Sequence, residues 1–267
     1  HSRENLMKHP LTAALQGMAC LLLVALQQPA LALENAVTTP LKVLVRSEDA
    51  KFIGSKVGGL QVQVRDLASG RILAHGPLQG GTGDTAALMQ EPQLRGRSAT
   101  VGAPASFDAE LALEQPTRVE ISVTGPLGVE QSVQEAALSL WLLPGEDRAQ
   151  RPVILHMSGL IVDLVDYRVS AAGLAVTTQV TMLCGCPLDR DGLWPVSDFA
   201  VELQVLQDGE RVAQQTLEFT GVENEFSGAV QLPGSGDFIL QVTASQHSTG
   251  NAGVFQQPLR VSPAAQQ

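Results

Sequence analysis

Apolar and polar residues alternate along most of the chain beyond residue 40. Leu41, Val43 and Val45 share one face of a segment ending at Arg46. Leu60, Val62 and Val64 oppose Gln61, Gln63 and Arg65, and the turn at Ala68-Ser69-Gly70 leads into Ile72-Leu73-Ala74. Phe107, Ala109, Leu111 and Leu113 alternate with Asp108 and Glu110. Val119, Ile121 and Val123 alternate with Arg118 and Glu120, and Leu138, Leu140 and Leu142 follow before Pro144-Gly145. A period of two places successive side chains on opposite faces, which predicts strands of sheets buried on one side. The second half repeats this grammar. It predicts strands over Ile161–Asp166, Val176–Met182, Phe199–Val205, Arg211–Phe219, Phe226–Leu232, Phe238–Ala244 and Phe255–Val261. Asp208-Gly209 is a two-residue hairpin signal, because both residues tolerate positive φ. Seven short strands within about a hundred residues match an immunoglobulin-like sandwich without its inter-sheet disulfide.

Residues 80–104 break the alternation. They carry Gly80-Gly81-Thr82-Gly83-Asp84-Thr85, then Pro92, Gly96, Gly102 and Pro104. Ala86–Gln90 is long enough for one helical turn capped by Asp84 or Thr85. A loop of this length inside a compact domain is often functional. Glu146–Pro152 is polar and ends in proline, and reads as a linker. The predicted fold class is all-β: two tandem antiparallel β-sandwich domains, over 33–147 and 153–267, after a helical signal peptide within 1–32.

The signal peptide is read from Met7 onward. Lys8 and His9 form a polar start, Leu11–Leu26 is apolar, and Pro29 precedes Ala30-Leu31-Ala32, which fits cleavage after Ala32. Residues 1–6 read as a tag or upstream translated stretch. Cys20 lies before the most apolar part of the run, which does not suit a lipidated cysteine. The expected location is therefore periplasmic or extracellular, with no transmembrane span in the mature chain. Removing 1–32 takes away Arg3, Lys8 and Glu4, leaving 15 basic and 26 acidic residues and a net charge of −11. That charge argues against nucleic acid as a partner. An apolar content of 44% allows real cores, and only 4% is aromatic, so those cores are aliphatic.

The sharpest local chemistry is Met182-Leu183-Cys184-Gly185-Cys186-Pro187. If the strand stays extended, Met182, Cys184 and Cys186 project from one face. Two thiols and a thioether are soft donors suited to Cu(I) and less exclusively to Zn. The two cysteines have three states open to them: a Cys184–Cys186 disulfide, free thiols, or a metal site. A disulfide across one residue closes a small ring, and labile disulfides of this kind serve thiol exchange. A thioredoxin-type site is not matched, for want of C-x-x-C at a helix start. His156-Met157 follows the linker, and His156 could add a further ligand if the fold brought it close. Asp189, Asp191 and Asp198 around Gly192 have the spacing of a calcium loop, but Pro187 stands where its first ligand should be. A plain loop with solvated acids is the better reading, with Trp194 as a lid over a core edge. Gly81-x-Gly83-x-x-Ala86 matches a dinucleotide motif only on paper, because Pro92 ends any helix too soon. The sequence contains no G-x-S-x-G, H-E-x-x-H or phosphate-loop motif.

Residues 58–74, with Gly58-Gly59, Asp66, Gly70 and Ala74 in a strand, turn and second strand, resemble the opening of carboxypeptidase-regulatory-like (prealbumin-type) modules. The whole mature chain resembles a group of uncharacterised exported bacterial two-domain proteins. The residues that carry this are Glu48-Asp49-Ala50-Lys51-Phe52-Ile53-Gly54, the G-G-T-G-D-T loop and the C-G-C-P strand end. This resemblance implies localisation and fold, not an activity. The functional expectation is an exported, non-enzymatic binding protein with a protein or small-molecule partner. The alternatives are a Cu- or Zn-handling accessory protein and a thiol-disulfide redox partner, both using Cys184 and Cys186.

Overall fold

A computed structural model describes residues 35–96, 100 and 102–263. The segment read as a signal peptide, with Cys20, lies outside the described residues, as do 97–99 and 101 within the long loop. The described chain is all-β, built as two sandwiches in tandem. The first has strands β1 (Val37–Ser47), β2 (Leu60–Asp66), β3 (Ile72–Leu78), β4 (Phe107–Leu113), β5 (Thr117–Gly125), β6 (Gln134–Leu142) and β7 (Arg148–Met157). A sheet ordered β4-β1-β7 faces one ordered β3-β2-β5-β6. Leu41, Val43 and Val45 of β1 meet Leu60, Val62 and Val64 of β2 and Val119, Ile121 and Val123 of β5 in one aliphatic core. These are the residues whose alternation marked them as inward.

Three expectations change here. Residues 148–152 are not a linker but the start of β7, which pairs with β1 in parallel, with Val153 against Val43 and Leu155 against Val45. One ladder of the fold is therefore not antiparallel. β7 is an edge strand, so a polar start and Pro152 are tolerated there. On β6, also an edge strand, Leu142 is buried but Leu138 is 41% exposed.

The second sandwich contains β8 (Leu160–Ser170), β9 (Gly173–Met182), β10 (Phe199–Gln207), β11 (Glu210–Thr216), β12 (Glu218–Phe219), β13 (Glu225–Val230), β14 (Gly236–Gln246) and β15 (Ala252–Val261). Its sheets run β12-β13-β9-β8 and β11-β10-β14-β15. The β10–β11 hairpin turns at Asp208 and Gly209, both at positive φ (52° and 83°). The strand expected over 211–219 splits in two. Leu217 is buried between β11 and β12, and there the chain passes from one sheet to the other.

The two sandwiches are interlocked. Ala50, from the loop after β1, packs in the second core, while Ile161 and Leu183 of the second sandwich pack in the first. The first part of the long loop is also anchored. A five-residue helix α1 (Thr85–Met89) is capped by the Asp84 carboxylate, which accepts from Ala87 N at 2.8 Å. Leu88 then packs with Leu44 and Phe52, and Arg46 donates to the Leu88 carbonyl at 3.0 Å. A helix this short leaves no room for dinucleotide binding.

Candidate functional site

β9 ends in a tight reversal. Gly185 N donates to Met182 O (2.8 Å) and Met182 N donates to Cys186 O (3.2 Å). Gly185 sits at φ +68°, a conformation in which glycine meets no steric penalty. The result is a three-residue hairpin loop, so the strand does not stay extended through Cys186. The extended strand on which a common face for Met182, Cys184 and Cys186 depends is therefore absent, although all three pack in the second core. The Cys184 and Cys186 sulfurs are bonded to each other, with the Cα atoms 5.3 Å apart. In that form they offer no thiolate to a metal. Met182 is fully buried in the second core. His156 lies on β7, with its Nδ1 3.8 Å from the Glu48 carboxylate. Among the described residues, no group of three or more His, Cys, Asp or Glu is arranged to hold a metal ion.

Of the three aspartates of the calcium-like loop, Asp198 and Asp189 accept hydrogen bonds from within the protein, and Asp191 is exposed. Asp198 accepts from Ser248 Oγ (2.6 Å), Ser248 N (3.0 Å) and Gln246 Nε2 (3.0 Å). The Ser248 hydroxyl is the main cause holding its carboxyl below the usual range, with Gln246 helping and partial burial opposing. Asp189 Oδ1 accepts from Arg190 N at 2.7 Å.

The hairpin docks on the first sandwich. Lys56 Nζ donates to Gly185 O at 2.8 Å. A Cβ on Gly185 would stand 2.8 Å from Val57 Cγ1. Beside this contact, a cavity of about 360 Å³ opens between the sandwiches. The first sandwich lines it with Lys51, Lys56, Thr82 and Thr85. The second supplies the Cys184–Cys186 hairpin, Trp194, Asp189 and Glu223, among others. Four segments singled out in the sequence therefore meet at one place: 48–54, 80–85, 184–187 and 189–194. The 80–85 loop is held there by Phe52 N donating to Thr82 O (3.2 Å) and Ser55 N to Gly80 O (2.9 Å). Trp194 is only 4% exposed and belongs to the second core, yet one side of it borders the cleft. Its indole N–H donates to Asp49 O at 2.7 Å.

Deeper in the seam lies a polar network that the sequence did not signal. Asn251 is fully buried. Its Oδ1 accepts from Ser158 Oγ (2.8 Å) and Gly159 N (3.0 Å), and its Nδ2 donates to Glu48 O (3.1 Å) and Gln246 Oε1 (2.9 Å). Gln246 Nε2 donates in turn to Asp49 Oδ2 at 2.7 Å. Nothing in the local sequence distinguishes Asn251 or Gln246 from turn and surface amides. Only the tertiary fold brings them to Glu48 and Asp49.

No family model and no curated protein sequence matches the chain. Among solved structures it is similar to the fimbrial anchor protein Mfa2 from Porphyromonas gingivalis, at 10% identity and a TM-score of 0.21, over 84% of this chain and 83% of that one. At that score the superposition does not establish a shared fold. Among the described residues, no helix is long and apolar enough to cross a membrane.

Proposed function

We propose that this chain is an exported, non-enzymatic binding protein that holds its ligand in the cleft between its two sandwiches. The observation that carries the reading is convergence: segments 48–54 and 80–85 of the first sandwich and 184–194 of the second line one cavity at a seam fixed by buried hydrogen bonds. Ligand sites favour such junctions between domains. Export is supported by the Met7–Ala32 pattern. The strand order β12-β13-β9-β8 facing β11-β10-β14-β15 supports an immunoglobulin-like reading of the second module. The strand-turn-strand of residues 58–74 supports a prealbumin-type reading of the first. Both architectures commonly present ligands to loops held by a rigid scaffold.

The chain contains two tryptophans, and Trp141 is 58% exposed. Trp141→Phe therefore leaves Trp194, at the cleft, as the one indole reporter. Titration of this variant with amino acids, short peptides, dicarboxylates and monosaccharides is expected to give a saturable change in Trp194 emission with at least one class. Thr82→Phe, which fills the cleft, should abolish that change. Undiminished binding to Thr82→Phe, or no response to any class, would overturn the reading.

A further inference from the structure

The charges around the cleft do not pair with one another. Lys51 Nζ donates to Thr85 Oγ1 at 3.0 Å and Lys56 Nζ to Gly185 O at 2.8 Å. Both acceptors are neutral. Among the described residues, neither ammonium has a carboxylate within 4.0 Å. An ammonium has three N–H donors, so each lysine keeps two for an incoming group. The second sandwich brings Asp189 and Glu223 to the same cavity. Glu223 has no side-chain hydrogen bond or ion pair among the described residues, and Asp189 uses one oxygen on its neighbour's N–H. Leu193, Trp194 and Pro187 add apolar surface to the lining of the same cavity. Two cations, two anions and an apolar floor therefore share one cavity without neutralising each other. A volume of about 360 Å³ is at the small end of the range for small-molecule sites, which disfavours a large ligand.

We infer that the cleft takes a small zwitterion with an apolar body, of the class of a free α-amino acid with an aliphatic side chain. Its carboxylate meets Lys51 and Lys56, its ammonium meets Asp189 and Glu223, and its side chain lies on the Trp194 and Leu193 surface. Charge-assisted hydrogen bonds at both ends set the selectivity, because a ligand lacking one charge leaves two protein charges without a partner. This inference rests on the cleft being a binding site, and it adds the chemical class of the ligand.

The test uses L-leucine, N-acetyl-leucine, leucine amide and the dipeptide Leu-Leu as probes on the Trp141→Phe protein, with binding read from Trp194 emission and by calorimetry. L-leucine is expected to bind, and each blocked derivative to bind roughly tenfold more weakly or worse. Leu-Leu distinguishes a free amino acid from a peptide as source, because its termini are further apart. It is expected to bind more weakly than leucine. In Lys51→Gln/Lys56→Gln the penalty for amidation should vanish while the penalty for acetylation remains. Asp189→Asn/Glu223→Gln should show the reverse. The inference is overturned if leucine fails to bind at about 10 mM, well above a weak millimolar Kd. It is equally overturned if either blocked form, or Leu-Leu, binds as well as leucine, or if the charge variants leave both penalties intact. A sugar or dicarboxylate whose binding is lost in Thr82→Phe would remove the zwitterion while leaving the binding reading standing. Loss of all binding in every class would remove both.

Discussion

The seam between the sandwiches has two halves that differ in how completely their polar groups are satisfied. In the inner half, every side-chain hydrogen-bonding position of Asn251 is used, and Gln246 and Asp198 knit Asp49 to the Ser248 turn. In the outer half, only a few residues away, Lys51, Lys56 and Glu223 face a cavity with bonding capacity unused. A buried polar group without a partner costs more than its bond contributes, so a buried network is complete or it is strongly destabilising. An open cleft is under no such demand, because water fills what a ligand will later fill. The inner half fixes the geometry, and the outer half uses it. Substitutions that separate stability from binding test this division.

The largest effect is expected at Asn251. Asn251→Ala leaves Gly159 N buried without its partner, takes a donor from the part-buried Glu48 O and removes the bridge to Gln246. The loss should be about 3 kcal/mol, seen as a fall in Tm of about 6–12 °C. A loss under about 1 kcal/mol would mean that water replaces the side chain, and the inner half would no longer differ in kind from the outer.

Gly185 comes next, because it is the point where the hairpin meets the first sandwich. Gly185→Ala puts a Cβ at φ +68° and 2.8 Å from Val57 Cγ1. The left-handed backbone costs about 1 kcal/mol, and the clash adds a similar amount. Adding Val57→Ala should recover the clash and not the backbone cost. If Gly185→Ala destabilises equally with and without Val57→Ala, the hairpin does not press on that turn.

These two positions also show what could and could not be read from sequence. Strands such as β2 and β5 were legible because burial on one face imposes a period of two on their own residues. β7 was not, because an edge strand paired on one side tolerates Arg151 and Pro152, which look like linker. The chemistry at Cys184–Cys186 was legible as a locus but not as a shape. The extended-strand assumption failed at Gly185, whose positive φ closes a turn that the dipeptides alone do not declare. Asn251 and Lys56 carried no signal, since an amide beside Gly250 and a lysine beside Ser55 are ordinary turn residues. Their roles exist only across distances such as that from Asn251 to Glu48, which are remote in sequence and adjacent in the fold.

Asp198 gives the comparison a pH axis. The Ser248 hydroxyl, helped by Gln246, holds the Asp198 pKa down against partial burial. The folded protein thus binds this proton less readily than the unfolded chain, whose carboxyl titrates near pH 4. The stabilisation is full above about pH 5 and is lost as pH falls through 4 toward the folded pKa. Urea unfolding from pH 7 to 3 should show wild type losing more stability than Asp198→Asn, with the two converging at the acid end. The difference should stay under about 1 kcal/mol, because the site is partly open to solvent. Parallel curves over the whole range would mean that Asp198 does not tie the Ser248 turn to the seam.

The smallest expected effect is the most discriminating. Lys51→Gln and Lys56→Gln each remove an ammonium that bonds only a neutral oxygen at the rim of an open cavity. Water takes over at Thr85 Oγ1 and Gly185 O, so the change in stability should lie within about 0.5 kcal/mol, with an unchanged urea m-value. Any small loss from removing positive charge in a chain with an excess of acids is repulsion, and raising the salt concentration would erase it. A salt-insensitive loss above about 1 kcal/mol would instead make Lys56 a structural tie, equivalent to Asn251 and merely nearer the surface. Stability that is indifferent to both lysines, together with ligand affinity that is not, is the pattern that separates a groove built for binding from a gap left by packing.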